Sequence, residues 1–178
     1  RLTGHAVEES TLSGQMWCCG GVMPFYEYEH IPGIDYLGRG LASDIAPKQL
    51  GSVCAQLGKK KAISEMFACC GWDVKPVELK RIAELQYAGG VNMMCQHLYS
   101  YTERGQRKRD YPAHYSEHNP WQPYLSDFDR FFNNLCFNQR KSSSPLTKTE
   151  ASFEYLNHTH DPAFAVHCLL YTSPSPRD

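Results

Sequence analysis

The central part of the chain alternates between helix-like and strand-like segments, and this alternation constrains the fold more than any other feature. Residues 44–57 carry a proline in the first turn and apolar residues at near-helical spacing, and Gly58 ends the pattern. An apolar strand at 61–66, a helix at 76–88 and a buried strand at 91–99 follow. Because the units repeat about every 30 residues, the sequence predicts βα units in a parallel sheet.

The flanking regions extend this pattern more faintly. The segments GHAVEES (4–10) and VMPFYEYEH (22–30) each predict a short strand, PGIDYLGRG (32–40) predicts a loop, and a last helix is predicted near 123–137. These features amount to about four βα units, as in half of a (β/α)8 barrel or in part of an open doubly wound sheet. A glycine fingerprint for dinucleotides or phosphates follows none of the strands, which disfavours the doubly wound sheet.

Acidic and polar residues recur where the predicted strands end. Because the carboxyl ends of barrel strands converge on one face that holds the active site, these residues are expected to line one cleft. They are Glu8 and Glu9 after the first strand, Glu27 and Glu29 after the second, Glu65 in the third, and Asn92 to His97 in the fourth.

Four motifs carry a resemblance to a known family. FYEYEHIPGIDYLGR, QLGKKKAISEMFACCGWD, LQYAGGVNMMCQHLYSY and RGQRKRDYPAHY together resemble the α-L-rhamnosidase-like glycoside hydrolases of family 106 and their bacterial relatives, over roughly residues 2–135. The resemblance implies an α/β fold in which residues 1–137 are the second half of a catalytic (β/α)8 barrel. It also implies hydrolysis of a glycosidic bond with inversion, often with calcium nearby.

Glu65 is the predicted catalytic residue. Glycoside hydrolysis uses two carboxyl groups, one protonated to assist the leaving group and one that activates water or attacks directly. Resemblance to the wider clan of barrel glycosidases places Glu65 near the end of the seventh strand, at a catalytic carboxylate. Glu29 is the candidate for the partner. Glu27, Asp35, Glu8 and Glu9, or a residue on an earlier strand outside the chain, stay open as alternatives, and hydrogen bonding within the loop is the structural alternative for all five. The structural alternative for Glu65 is a carboxylate held in an ion pair.

Other residues at the same strand ends are predicted to bind the sugar. His97 can hydrogen-bond a hydroxyl group, and Trp72 can stack on the apolar face of a pyranose ring. Packing within the fold is the alternative for both. The full predicted set is Glu27, Asp35, Trp72, Asn92, His97 and Tyr99.

Two other functions stay open. A non-catalytic carbohydrate-binding barrel would keep Trp72, Tyr99 and Trp121 while losing the acid pair. A metal-dependent barrel hydrolase would need several His and Asp ligands at strand ends. Only His5 and His97 lie at such positions, without an HxH pair, so this function ranks low.

The expected partner is an oligosaccharide or glycoside. The formal net charge of -1 and the acidic residue within the short basic loop RGQRKRDYP argue against nucleic acid. Ion pairs are expected to hold this loop, with recognition of an acidic sugar as the alternative. No run of 18 apolar residues predicts a membrane span. The cysteine spacing matches neither a zinc ribbon nor a disulfide scaffold, so we expect buried free thiols and a reducing compartment.

The C-terminal region does not follow the pattern of the rest. Residues 168–178 (CLLYTSPSPRD) equal the translation of a transposase-type sequencing adapter, and Arg1 is not a methionine. We therefore expect a translated sequencing fragment, and we exclude 168–178 from fold arguments. Residues 138–167 lack an apolar strand and are expected to form a loop or to follow a frameshift.

Overall fold

The computed structural model describes residues 1–40, 43–102, 104–106 and 111–141. The chain divides into two compact units, Arg1–Pro123 and a second that starts at Tyr124. The first unit contains α1 (Leu12–Cys18), α2 (Met23–Tyr28), β1 (Gly33–Asp35), α3 (Ile45–Gln56), β2 (Ile63–Met66), α4 (Pro76–Ala88) and β3 (Met93–Gln96). The second contains α5 (Leu125–Lys141), which runs on past the predicted end at residue 137 into the expected loop.

The sheet of the first unit is parallel, with strand order β1-β2-β3. Gly33 pairs with Ile63, and Ile63 pairs with Met93. The strand at 61–66 therefore lies beside and parallel to the strand at 91–98, and α4 connects them. This part of the prediction is confirmed.

The prediction of half a (β/α)8 barrel is wrong for this structure. The sheet among the described residues has three strands and is open. The first predicted strand, at 4–10, does not form, and next to it there is only an isolated parallel bridge between Thr3 and Ile31. Without a continuous ladder on that side, the four expected units reduce to a small α/β sheet.

Two upstream assignments are also corrected. Residues 23–28 form helix α2, although their aromatic content favoured a strand. Pro24 lies in the first turn, where its fixed φ favours a helix, and Tyr26 is the residue of α2 that is buried. The stretch 32–40 was predicted as a loop, but it contains β1, because Ile34 is buried and pairs with β2 despite its Pro and Gly neighbours.

One face of the sheet is covered by helices. Ile34 and Met66 are buried on this face, and α3 and α4 supply the buried residues Leu50 and Ile82. Gly51 makes close helix packing possible, because a Cβ there would lie 2.1 Å from the Gly89 carbonyl oxygen. The opposite face, to which the alternate strand residues Asp35 and Glu65 belong, is half-exposed.

Two further findings concern the cysteines and membrane spans. Of the cysteines that the structure describes as free thiols, Cys54 and Cys70 are buried and Cys18, Cys19, Cys69 and Cys95 are exposed, so the expectation of buried thiols does not hold for most of them. No helix in the described ranges is long and apolar enough to cross a membrane.

Candidate active site at the carboxyl edge of the sheet

Asp35 and Glu65 lie side by side where β1 and β2 approach their carboxyl ends. The two residues are Cα partners in the parallel ladder, and Cys95 is the partner of Glu65 on β3. Because paired residues of neighbouring strands project from the same face, the three side chains form a row on the face that helices do not cover. The nearest ligand oxygens of Asp35 and Glu65 lie within 4.8 Å.

Two histidines flank Glu65. The His5 Nε2 atom lies 3.6 Å from Glu65 Oε2, and the His97 Nε2 atom lies 3.7 Å from Glu65 Oε1. The side chains of Glu65 and His97 are 29% and 14% exposed, so both are partly shielded from water. Each oxygen of the Glu65 carboxylate thus has an imidazole beside it.

The N-terminal segment brings His5 to this edge by running along β1. The backbone nitrogens of His30 and Ile31 both donate to the Leu2 carbonyl oxygen, and Thr3 bridges Ile31. A Cβ on Gly33 would lie 2.2 Å from the Gly4 carbonyl oxygen, so only glycine allows this close approach.

Glu9 fastens the same segment to the end of β1. Its side chain is 2% exposed, and its carboxyl oxygens accept hydrogen bonds from the backbone nitrogens of Ala6 and, at 2.9 Å, Asp35. These bonds favour the charged form, but burial outweighs them and raises the pKa of Glu9 to about 7. Glu9 is therefore a buried carboxyl group directly behind the Asp35 backbone.

The electrostatics of the site favour a proton on Asp35. Burial raises the pKa of Asp35, the neighbouring Glu65 carboxylate raises it further, and His5 and His97 oppose the shift. Burial works to lower the pKa of His5, but the Ala6 carbonyl and the surrounding carboxylates outweigh it, so the His5 pKa is raised.

Gln86, on the helix-covered side of the sheet, hydrogen-bonds to a residue next to each carboxylate. This fully buried side chain on α4 accepts a hydrogen bond from the Ser64 hydroxyl and donates one of 2.8 Å to the Tyr36 carbonyl oxygen. Ser64 precedes Glu65, and Tyr36 follows Asp35. One helix residue therefore fixes the backbone next to each carboxylate.

A cavity of about 350 Å³ opens beside Asp35. Pockets of this size hold small ligands such as a sugar ring. The acidic residues Glu8, Glu9 and Asp35 line its described part, and no Lys or Arg does. This described lining therefore offers no cationic partner for an anionic ligand.

The structure separates the predicted catalytic pair. Glu29 is 1% exposed at the amino end of β1, where its Oε2 accepts from Gly33 N at 3.3 Å. The Asn92 amide lies at the same end, accepting from Ala62 N at 3.1 Å. Glu27 is exposed on α2. Of the predicted set, Glu65, Asp35 and His97 are brought together.

The predicted aromatic contacts lie elsewhere on the surface. Trp72 is 48% exposed and packs edge-on against His114, with ring centroids 4.9 Å apart. Tyr99 is 65% exposed. Arg104 of the basic loop is exposed, and residues 107–110 lie outside the described residues, as do 142–178.

Sequence reasoning missed the roles of Gln86 and Glu9. Gln86 lies 22 residues from Ser64 and 50 from Tyr36, so no local pattern links them. The available signal for Gln86 was a polar residue between apolar positions of an amphipathic helix. For Glu9, the sequence predicts a strand-end acid or a hydrogen bond within the loop; the bond to Ala6 is of the second kind, whereas the bond to Asp35 has no local signal.

Calcium, which the resemblance implies, does not fit the donors at this edge. Calcium takes six to eight oxygen ligands, whereas the cluster here combines the Asp35 and Glu65 carboxylates with imidazole nitrogen.

Comparison of the chain with known protein families, curated proteins and solved structures finds no match.

Proposed function

We propose that this protein hydrolyses a glycosidic bond, with Asp35 and Glu65 as the two carboxyl groups of the reaction. The observation that carries the proposal is their pairing in register, with carboxyl oxygens within 4.8 Å. They lie at the carboxyl edge of an open parallel sheet, where ligands of such sheets bind. Asp35 thereby replaces Glu29 as the partner of Glu65.

Asp35 acts as the general acid. Burial and the neighbouring Glu65 carboxylate raise the pKa of Asp35, the direction that a general acid needs, and its proton passes to the glycosidic oxygen as the bond to the anomeric carbon breaks. The Glu65 carboxylate, beside the imidazoles of His5 and His97, attacks the anomeric carbon. Water then displaces Glu65 while Asp35 takes up a proton from that water.

The short separation of the pair supports a double displacement. Carboxyl groups about 5 to 5.5 Å apart act with retention, whereas inversion needs about 6.5 to 9.5 Å to hold a water molecule. The resemblance implies inversion, but the nearest oxygens of Asp35 and Glu65, which lie within 4.8 Å of each other, fit the shorter separation better than the longer one. NMR of the first-formed sugar anomer decides between the two outcomes.

The cavity beside Asp35 supports a neutral sugar as substrate. Its described lining includes Glu8, Glu9 and Asp35 and no Lys or Arg that could pair with the carboxylate of a uronic or sialic acid. This lining does not support the alternative of an acidic sugar, which the basic loop suggested. An aryl α-L-rhamnoside heads the panel of test substrates.

The test is Glu65→Gln in the protein expressed from its full reading frame. The amide keeps the size of the side chain but cannot attack carbon, so kcat falls at least about 100-fold. The free energy of unfolding changes by less than about 1 kcal/mol. The matched control, Glu117→Gln, changes an exposed glutamate and keeps the parental kcat.

Three results would contradict the proposal. One is a Glu65→Gln variant that melts several degrees lower but keeps its turnover, which would make Glu65 an ion-pair residue. Another is sugar binding without turnover in parent and variant, which would indicate a binding module. The third is loss of activity in 1,10-phenanthroline, which removes transition metals and would indicate metal-dependent hydrolysis.

A further inference from the structure

The hydrogen bonding of His5 fixes which ring nitrogen faces the site. The Nδ1 atom lies 2.6 Å from the Ala6 carbonyl oxygen. A carbonyl oxygen can only accept, so Nδ1 carries the proton, and Nε2 of the neutral ring keeps its lone pair. That lone pair is on the side of the Glu65 carboxylate. When the His5 ring is neutral, two acceptors therefore approach each other with no proton of their own between them, and a cation can take the place of that proton.

The separations suit a shared cation better than a direct hydrogen bond. At 3.6 Å, His5 Nε2 and Glu65 Oε2 are too far apart for a good N–H···O bond. Two ligands on one zinc ion, each bonded at about 2.0 to 2.1 Å in a tetrahedron, lie roughly 3.3 Å apart. Asp35 completes a set of three donor atoms within 4.8 Å of one another.

The contact of His5 with Ala6 also matches the surroundings of metal-binding histidines. Such histidines donate the other ring N–H to a carbonyl or carboxylate, which fixes the tautomer and orients the ring. His97 places a second imidazole nitrogen 3.7 Å from Glu65. Mixed imidazole and carboxylate donors select zinc, manganese, iron or cobalt rather than calcium.

We propose that His5, Asp35 and Glu65 bind one divalent transition-metal ion of the zinc type, and that this ion excludes substrate from the catalytic pair. Metal binding follows from the donor geometry alone. The inhibitory consequence rests on the proposed function, because it assumes that the same two carboxylates perform hydrolysis.

Binding is tested by isothermal titration of the full-length, metal-stripped protein with ZnCl2 and, separately, with CaCl2. The parent binds one zinc ion at this site and binds calcium much more weakly. His5→Ala weakens zinc binding at least about tenfold, and the exposed control His118→Ala leaves it unchanged. Circular dichroism confirms that both variants remain folded. Equal zinc affinity in parent and His5→Ala, or equal affinity for calcium, overturns the proposal.

Hydrolysis assays separate this inference from the proposed function. ZnCl2 inhibits the parent, and the concentration needed for half-inhibition rises at least about tenfold in His5→Ala. An active enzyme that neither binds zinc nor is inhibited by it overturns the metal site alone. Zinc binding lost in His5→Ala, in a protein without glycosidase activity, supports the metal site and overturns the proposed function. Activation by zinc overturns both the exclusion of substrate and the carboxyl-pair mechanism.

Discussion

The carboxyl groups at the two ends of the small sheet have different kinds of partner. At the amino end, the Glu29 side chain accepts from a backbone nitrogen, and Lys59 Nζ donates to the Glu29 carbonyl oxygen at 2.7 Å. At the carboxyl end, Glu65 contacts the ionisable side chains of His5 and His97 and lies beside Asp35. Both glutamates look alike in the sequence, as acids near the end of an apolar segment.

The difference teaches that the partners of a carboxyl group indicate its role better than its burial does. Glu29 is the more deeply buried of the two, at 1% exposure, yet its polar contact ties the chain to the first residue of β1. Glu65 is half-exposed and surrounded by groups that can exchange protons. Chemistry needs access to a ligand and titratable neighbours, and only the carboxyl end offers both.

Together with Glu65→Gln, Asp35→Asn is expected to have the largest effect on activity at the carboxyl end. The amide cannot donate the acid proton, so kcat falls about 100- to 10,000-fold on substrates with poor leaving groups. Aryl glycosides with acidic phenols need little protonation in the first step, so their kcat/KM falls much less, although their kcat still falls because Asp35 also accepts the proton of the attacking water. The exposed control Asp127→Asn keeps the parental rates. Equal losses of kcat/KM on both substrate types would remove Asp35 from the role of acid.

The sequence predicted one end of the sheet better than the other, and the reason is local. The alternation from residue 61 to 99 placed Glu65 and His97 correctly, because a strand, helix and strand in succession fix which ends meet. Residues 22–30 were assigned to a strand, which placed Glu29 at a carboxyl end. Residues 23–28 of this segment form α2, so Glu29 follows a helix and precedes β1 instead of ending a strand.

Other contacts of the site are long-range and leave no local pattern. Asp35 was placed in a loop because Pro and Gly surround it, yet pairing with Glu65 makes it the end of a strand. His5 reaches the site through a single bridge at Thr3, which has no strand signature. Tertiary packing overrides local propensity at each of these positions.

The second prediction tests whether the carboxyl end depends on support from α4. Gln86→Leu leaves the buried Ser64 hydroxyl and the Tyr36 carbonyl without this partner, which costs about 1 to 3 kcal/mol in the free energy of unfolding. We also expect kcat to fall severalfold, since the backbone beside each carboxylate loosens. Urea unfolding and steady-state kinetics measure both. Gln56→Leu, at an exposed position of α3, is the control. A variant as stable as that control would contradict the proposed support.

The third prediction concerns how stability at the carboxyl end varies with pH. Burial raises the pKa of Glu9 from 4.5 to about 7, so the folded state binds more protons than the unfolded state between these values. Stability from this group is complete below pH 4.5 and is lost as pH rises through about 7, by about 3 kcal/mol. Glu9→Gln removes this component, so urea unfolding from pH 4.5 to 8 shows a flatter profile than the parent. Parallel profiles would place the Glu9 pKa near its ordinary value.

The smallest effect is expected at the amino end, for Glu29→Gln. Burial raises the pKa of Glu29, so an uncharged amide suits the site, and its oxygen can still accept from Gly33 N. We expect the free energy of unfolding to change by less than about 1 kcal/mol, in the stabilising direction at neutral pH. Activity should stay within about threefold of the parent, because Glu29 lies at the opposite end of β1 from Asp35.

This variant and Glu65→Gln form a matched pair, because the same substitution is made at the two ends of one sheet. If the carboxyl end alone performs the chemistry, Glu65→Gln lowers kcat at least about 100-fold while Glu29→Gln leaves it nearly unchanged. Kinetics on one substrate at one pH, with melting curves for both proteins, measure the contrast. A large loss of kcat in Glu29→Gln with an unchanged melting temperature would restore Glu29 as a catalytic group. Asp35 would then be a neighbour that tunes Glu65, because two carboxyl groups are enough for the reaction.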